Sequence, residues 1–424
     1  MNNNQESLTE DRFVDKPQKE IHYFWIGYIL TTVGYTLMII NNTPDKLLIL
    51  LQFAGIGILV PSAVKLIRYK FESRYLAGMF AFYLFWSVII IARGFQLDKD
   101  YLMYLFLDST GGLFLYLSPL IILFPLNLIN FKKISNVAII LGACFLIFSF
   151  MFMGELLDSE SENGQRILEY FARYLSITCG FILLLSAYQS NRRNLFSLFV
   201  IGLTFFFAIV RARRGLIFMS SSILVFSFIF YFYANKGNLV KRFLPVLLLP
   251  FALIYGINAY QANSSGTFSF INERIDEDSR SGVEKLFFMD MTIQDWIIGK
   301  GISGEYAYAG IDENNTTNRR GVIETDYLQI ILKGGIISLG ILLLIAVPAI
   351  IKGLFYSNNT LSKVAGLWIL FWMVDLYPTT VTNFALNYLI VWICIGICYS
   401  HQIRNLPDEL IKEFFQNNQV KYFL

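Results

Sequence analysis

The strongest constraint in this sequence is a repetition of long apolar runs. They fall at about 21–40, 47–67, 75–92, 111–129, 136–153, 167–189, 195–210, 215–234, 243–260, 325–351, 361–379 and 383–400. Each approaches the roughly 20 residues an α-helix needs to cross a hydrocarbon core of about 30 Å. Lipid offers no partner to a backbone N–H or C=O, and a helix satisfies those groups within itself. The chain therefore reads as an all-α polytopic membrane protein with about twelve transmembrane helices, a single integral-membrane domain over 1–424. Composition agrees, because only 15% of residues are charged, against about a quarter in soluble domains. Aromatic residues reach 17%, which suits Tyr and Trp anchors at the two membrane interfaces.

Orientation follows from the placement of Lys and Arg. The gap after the second run holds Lys65, Arg68, Lys70 and Arg74, and every second gap onward is basic: Lys132 and Lys133, Arg192 and Arg193, Lys236, Lys241 and Arg242, then Lys352 and Lys363. The gap after the fifth run is acidic, with Glu155, Asp158, Glu160 and Glu162. The positive-inside rule then puts both termini in the cytoplasm. Segments 1–20 and 404–424 become cytoplasmic tails, the second weakly amphipathic. The first twenty residues are polar and the first apolar run is long enough to span, so no cleavable signal peptide is expected. The gap after the ninth run, 261–322, is a large loop on the outer side. Its amphipathic stretch from Val283 to Ile298 predicts one or two short helices at the membrane surface. Gly299-Lys300-Gly301-Ile302-Ser303-Gly304 has no following Lys-Ser or Lys-Thr and reads as a tight turn, not a nucleotide loop.

Several chemistries are disfavoured at once. A net charge of +3 does not suggest nucleic acid. Cys144, Cys179, Cys394 and Cys398 sit in apolar runs and read as packing residues, with no disulfide framework. His22 and His401 are the two histidines, both on the cytoplasmic side. Histidine catalysis at the outer face is thereby excluded, and no metal-ligand set is apparent there. No cofactor is expected.

The outer face instead collects arginines. Arg211, Arg213 and Arg214 lie within four residues on the side where positive charge is disfavoured. Guanidinium is always charged and grips phosphate oxygens two at a time, so they point to an anion site. Anchoring to lipid headgroups is the other reading. Arg93 ends the third run at the same face. Arg173 lies just inside the sixth, where it would add to the ring or pair with Glu169. Arg319-Arg320 precede the tenth run, and Glu324 and Asp326 open it. Acids at a helix start cap it and favour its dipole, and one beside an anion site could also serve as a general base. Lys333, deeper in that run, and Asp375 and Tyr377, near the outer end of the eleventh, are further candidates for a cavity.

The stretches Ser279-Arg280, then Trp296-Ile-Ile-Gly-Lys-Gly-Ile-Ser-Gly-Glu-Tyr306, then Glu324-Thr-Asp-Tyr-Leu-Gln-Ile-Ile-Leu-Lys-Gly-Gly335 resemble the large periplasmic loop and following helix of the O-antigen polymerase and ligase superfamily. Arg211-Ala-Arg-Arg-Gly215 resembles that family's arginine motif. The resemblance implies a GT-C-like membrane glycosyltransferase acting on undecaprenyl-pyrophosphate-linked oligosaccharide, with a chain-length regulator protein as a further partner beside the lipid bilayer. It implies that Arg211, Arg213 or Arg214 and Arg280 hold pyrophosphate, with Arg93 and Arg173 beside them. Glu324, Asp326 and Arg280 would be catalytic, and Tyr327, Arg319 and Arg320 would contact glycan. The ligases carry a histidine where this chain has Glu324-Thr325-Asp326, which favours polymerase over ligase. A lipid-linked oligosaccharide flippase and an envelope scaffold stand as readings of other classes.

Overall fold

Seven of the twelve apolar runs form helices long and apolar enough to cross a membrane: Lys19–Ile40, Lys46–Leu66, Arg74–Arg93, Phe131–Met151, Asn191–Val210, Arg214–Phe232 and Asp326–Phe355. They come from a computed structural model that describes residues 3–40, 45–125, 128–158, 161–234, 280–308 and 318–416. In chain order the helices are α1 (Asn3–Ile40), α2 (Lys46–Leu66), α3 (Arg74–Arg93), α4 (Lys99–Leu107), α5 (Leu113–Leu117), α6 (Leu128–Met151), α7 (Met153–Leu157), α8 (Glu162–Phe171), α9 (Cys179–Leu184), α10 (Asn191–Val210) and α11 (Arg214–Ala234). After the undescribed stretch come α12 (Arg280–Asp290), α13 (Ile293–Ile298), a hairpin of β1 (Tyr306–Ala307) and β2 (Arg319–Arg320), α14 (Asp326–Phe355), α15 (Thr360–Asp375), α16 (Leu386–Tyr399), α17 (His401–Asn405) and α18 (Asp408–Gln416). The chain is an all-α, membrane-embedded protein, with a single hairpin of two-residue strands among the described residues.

The remaining apolar runs behave differently. Run 111–129 gives α5 and a 3₁₀ turn, Ser118–Leu123. Run 167–189 breaks into α8, a π-helical turn at Ala172–Ser176, and α9. Runs 361–379 and 383–400 give α15 and α16, of 16 and 14 residues. Run 243–260 and the loop residues 261–279 and 309–317 lie outside the described residues. Apolar content marks what is buried, and here part of it is buried irregular chain.

Small residues let the first two spans meet. A Cβ on Gly27 would sit 2.6 Å from the Gly55 carbonyl oxygen and 2.6 Å from the Leu59 nitrogen. Close backbone approach of this kind supplies the dispersion contact that holds helices together in lipid. Asp408 of α18 ties the tail end of the bundle together: it accepts from the Tyr188 hydroxyl, from the Thr360 nitrogen at 2.8 Å and from the Thr360 hydroxyl at 3.0 Å. The sequence 404–424, read as a polar tail, is thus docked at least to Gln416.

The opposite, loop-bearing end is organised by a broken helix. Within α14, Gly335 has φ 70° and ψ −177°, a region essentially closed to side-chain-bearing residues. The break leaves carbonyls without helical partners. The glycine turn after α13 supplies them: Lys300 donates to the Leu332 oxygen at 2.7 Å and Gly301 to the Lys333 oxygen at 3.0 Å. The Trp86 indole donates to the Gly334 oxygen at 2.9 Å. Gly299 and Gly301 also have positive φ, 71° and 83°. No side chain fits between the two turns, since a Cβ on Gly299 would lie 2.5 Å from the Gly334 nitrogen, and one on Gly335 2.1 Å from the Ile297 oxygen. Gly334 packs on Ile90, one helical turn from the end of α3. The break therefore lies near the loop end of the bundle, and Lys333 is less deep than its place in the run suggested.

Gly335→Ala should strain the backbone and push the loop off the break, at a cost of about 1–3 kcal/mol. Gly340→Ala, with open space around its Cβ position, serves as the matched control. The expected result is a lower melting temperature and faster proteolysis within 280–308 for Gly335→Ala alone. Equal behaviour of the two variants would contradict the interlock.

Candidate functional site

Four irregular segments converge at the loop end: the turn 108–112, the π-helical turn of Arg173, the break at Gly335, and the non-helical stretch 376–385. Residues 380–385 of the last are buried. Irregular backbone at membrane depth is tolerated where it is buried in protein or lines a cavity. Both hold here. A small open-mouthed cavity lies among the turn 108–112, the break and the stretch 376–385, its polar lining including Tyr83, Thr110, Gln329, Lys333, Thr382 and Tyr388. Lys333, 8% exposed, donates to the Gly304 oxygen at 2.8 Å.

Asp326 is at the centre of this region and is fully buried. Its Oδ2 accepts from the backbone nitrogens of Val381 at 2.7 Å and Thr382 at 2.5 Å. Its own nitrogen donates to the Leu376 oxygen at 2.8 Å. One carboxylate thereby fixes the irregular stretch against the start of α14. Charge-assisted bonds to backbone N–H are the strong kind, which offsets the cost of burying the charge. Oδ1 of Asp326, both oxygens of Asp375, and both amide atoms of Asn383 are buried with no hydrogen-bond partner among the described residues. A buried polar atom left so costs about 1–3 kcal/mol. Several such atoms gather on and beside this irregular stretch.

The arginines divide into two sets. Arg93 is committed to the fold, donating to the Ile298 oxygen at 2.6 Å and the Gly299 oxygen at 2.8 Å. Arg211, 4% exposed, donates to the backbone oxygens of Asp158 and Ser161. Arg213 pairs with Glu169, the partner that sequence spacing offered to Arg173. The turn carrying them is a helix C-terminal motif in which Arg213 donates to the Ala208 oxygen and Ala212 to the Ile209 oxygen. Ala212 takes the left-handed conformation, φ 49°, usual for glycine. Arg214 is exposed at the start of α11, and Gly215 next to it packs on Thr379.

Arg173 differs from all of these. Its guanidinium lies 6.0 Å from the centre of the Tyr170 ring. Among the described residues it makes no hydrogen bond or ion pair, and it interacts electrostatically with Glu169 and Asp326. Its π-helical turn is the kind of insertion that re-aims a side chain at a functional position.

The loop residues form a small module of their own. Phe287, Met291, Tyr306 and Ile323 pack on Leu328, Ile331 and Leu332 of α14. Lys300 donates to Asp290 Oδ2 at 2.6 Å. Arg319 lies 3.5 Å from the same oxygen and donates to the Glu305 backbone oxygen at 3.2 Å. Desolvation opposes ionisation of Asp290, yet Lys300 and then Arg319 win and hold its carboxyl below the ordinary carboxylate range. Arg320 sits 5.2 Å above the Tyr308 ring. Tyr327 donates to the Met373 oxygen at 2.6 Å. The residues expected to contact glycan therefore hold the module and α14 in place. Glu324 is exposed, and the Thr325 hydroxyl beside it donates to Glu284 at 2.6 Å. Arg280 opens α12, with its side chain outside the description.

Sequence reading missed Asp108. Its Oδ1 accepts from the Tyr35 hydroxyl at 2.7 Å and its Oδ2 from the Gly111 nitrogen at 2.7 Å. The only signal was the run Asp108-Ser-Thr-Gly-Gly112, which reads as an ordinary turn. Among the described residues no group of three His, Cys, Asp or Glu side chains gathers as a metal-ligand set. No family model, curated protein or solved structure matches the chain.

Two predictions follow from this accounting. Arg211→Ala removes a buried guanidinium that donates to the Asp158 and Ser161 carbonyls and should cost roughly 1–3 kcal/mol, read as a drop in melting temperature. Arg173→Ala should leave the melting temperature nearly unchanged, and a comparable drop would make it structural. The Asp290 interaction has the opposite pH sense to a basic group. Its carboxyl is depressed, so the stabilisation is present above about pH 4 and is lost as pH falls through the lower folded value. Protease resistance of the loop should hold at pH 5 and fail in more acid solution, and Asp290→Asn should abolish the transition.

Proposed function

We propose that this chain is a glycosyltransferase of the bacterial inner membrane that polymerises undecaprenyl-pyrophosphate-linked oligosaccharide repeat units at the periplasmic face. The observation that carries the reading is Arg173. It is a cation on a π-helical turn, with no hydrogen bond or ion pair among the described residues, and it interacts electrostatically with Asp326. A lipid pyrophosphate brings two phosphates to the membrane interface, and guanidinium matches them. In this reading the twelve apolar runs correspond to twelve spans in a GT-C-like arrangement. Both termini are cytoplasmic, and the loop end faces the periplasm.

The chemistry is a single displacement. An acceptor sugar hydroxyl attacks the anomeric carbon of the donor. The bond from that carbon to the pyrophosphate oxygen breaks, and its electron pair leaves on pyrophosphate. Arg173, with the exposed Arg214 on the neighbouring turn and Arg280 from the loop, offsets the charge that develops. Glu324, exposed at the start of α14, is the carboxylate an acceptor hydroxyl can reach, and it takes the proton. Asp326 positions the 380–382 segment through its two backbone bonds. The anomeric centre inverts.

The broken helix α14 favours a second reading, a lipid-linked oligosaccharide transporter, because transporters use discontinuous helices at their substrate sites. Those breaks lie near the bilayer midplane. Here the break lies one turn from the end of α3, which keeps surface chemistry ahead of transport.

Purified protein given synthetic undecaprenyl-pyrophosphate repeat units, with EDTA and no nucleotide sugar, should yield a glycan ladder on a gel. Arg173→Ala should reduce it by about 10²-fold in folded protein, and Glu324→Gln by a similar factor. No ladder from folded wild type with cognate substrate would sink the polymerase. Flipping of the same lipid in liposomes would then support transport.

A further inference from the structure

We infer that the turn at Asp108 is a sugar-binding subsite, taking one ring of the glycan through its hydroxyls and its C–H face. The inference rests on the glycosyltransferase reading for the origin of that ring and on local geometry for the site. Asp108 is half-buried, and its two oxygens are pinned by the Tyr35 hydroxyl and the Gly111 nitrogen, both at 2.7 Å. An ionised carboxylate has about four acceptor positions, so a ligand hydroxyl has room to donate to each oxygen. Thr110 and Gly111 beside it line the cavity, as does Lys333, whose charge interacts with Asp108.

The surroundings are aromatic. The Tyr170 and Tyr174 rings lie parallel, 4° apart in plane and 6.1 Å between centres, and Tyr35 meets Tyr174 edge-on at 5.2 Å. Tyr104 is 42% exposed and interacts with Asp108. A ring with an apolar face and a polar edge suits a sugar, which has C–H groups on its faces and hydroxyls at its rim. A second, independent sign is the Tyr174 hydroxyl, fully buried in this cluster and without a hydrogen-bond partner among the described residues. Arg173, one residue earlier in the chain, places the phosphate-binding candidate next to this cluster. A sugar held at Asp108 and a phosphate held at Arg173 are then neighbours, as they are in a lipid-linked glycan.

The probe is an array of immobilised bacterial-type oligosaccharides that carry no lipid or phosphate, read with fluorescently labelled protein in nanodiscs. Wild type should bind a subset. Asp108→Asn should weaken that binding at least about tenfold, and Tyr104→Ala, at an exposed ring, should weaken it without loss of fold. Lys65→Ala, in an exposed ion pair with Glu20, should leave it unchanged. Absence of wild-type binding, or equal binding by wild type, Asp108→Asn and Tyr104→Ala, would overturn the subsite. Sugar binding without a polymer ladder would remove the polymerase and leave the subsite standing. A ladder made by Asp108→Asn at wild-type rate and KM would do the reverse.

Discussion

The loop-bearing half of this protein depends on one contact, the seating of the glycine turn 299–301 against the helix break at Gly334-Gly335. Each side supplies what the other lacks. The break leaves carbonyls without helical partners, and the turn brings two N–H groups to them. The three positive φ angles, at Gly299, Gly301 and Gly335, bring the two backbones together where side chains would collide. Arg93 then locks the arrangement from α3 by gripping the end of α13. Once the loop is seated, Lys333, Gln329 and the start of α14 have fixed positions around the cavity.

This seating explains why so much positive charge can sit at one end of a bundle of apolar helices. Arg93 and Arg211 are consumed by backbone carbonyls, Lys333 by another, and Arg213 by Glu169. A guanidinium bound to carbonyl oxygens keeps its charge and loses little hydration energy that is not returned. The charges are thus part of the scaffold, and a smaller number of polar groups is left out of it. Arg173 belongs to that number, set apart by a π-helical turn. Asp375 and Asn383 belong to it as well, on the irregular stretch that Asp326 holds.

Much of the fold was legible because lipid imposes a simple rule, and seven of the apolar runs became helices of spanning length. The shortfalls share one cause. Hydropathy registers apolar content and not continuity of hydrogen bonding, so 111–129 and 167–189 read as plain spans although each is interrupted. The glycine turn was read correctly as a turn, but its partner lies more than thirty residues further on and could not be seen. The arginines were found and their roles were not separable, since the carbonyls they bind are 50 to 206 residues away. Asp108 was missed because a single Asp before Ser-Thr-Gly-Gly is what any turn contains, and its significance lies in the tyrosines brought to it from α1, α4 and α8.

The central claim is that the loop, the arginine turn and the start of α14 share one membrane face, opposite the Lys363 turn. The most direct measurement is labelling of single-cysteine probes with a membrane-impermeant maleimide on intact cells. Lys285→Cys, Arg214→Cys and Lys363→Cys all place the thiol at an exposed position, and three of the four native cysteines are buried. The account predicts rapid labelling at 285 and 214, and labelling at 363 only after the membrane is opened. Labelling of 363 together with 285 in intact cells, or protection of 214 while 285 reacts, would contradict it.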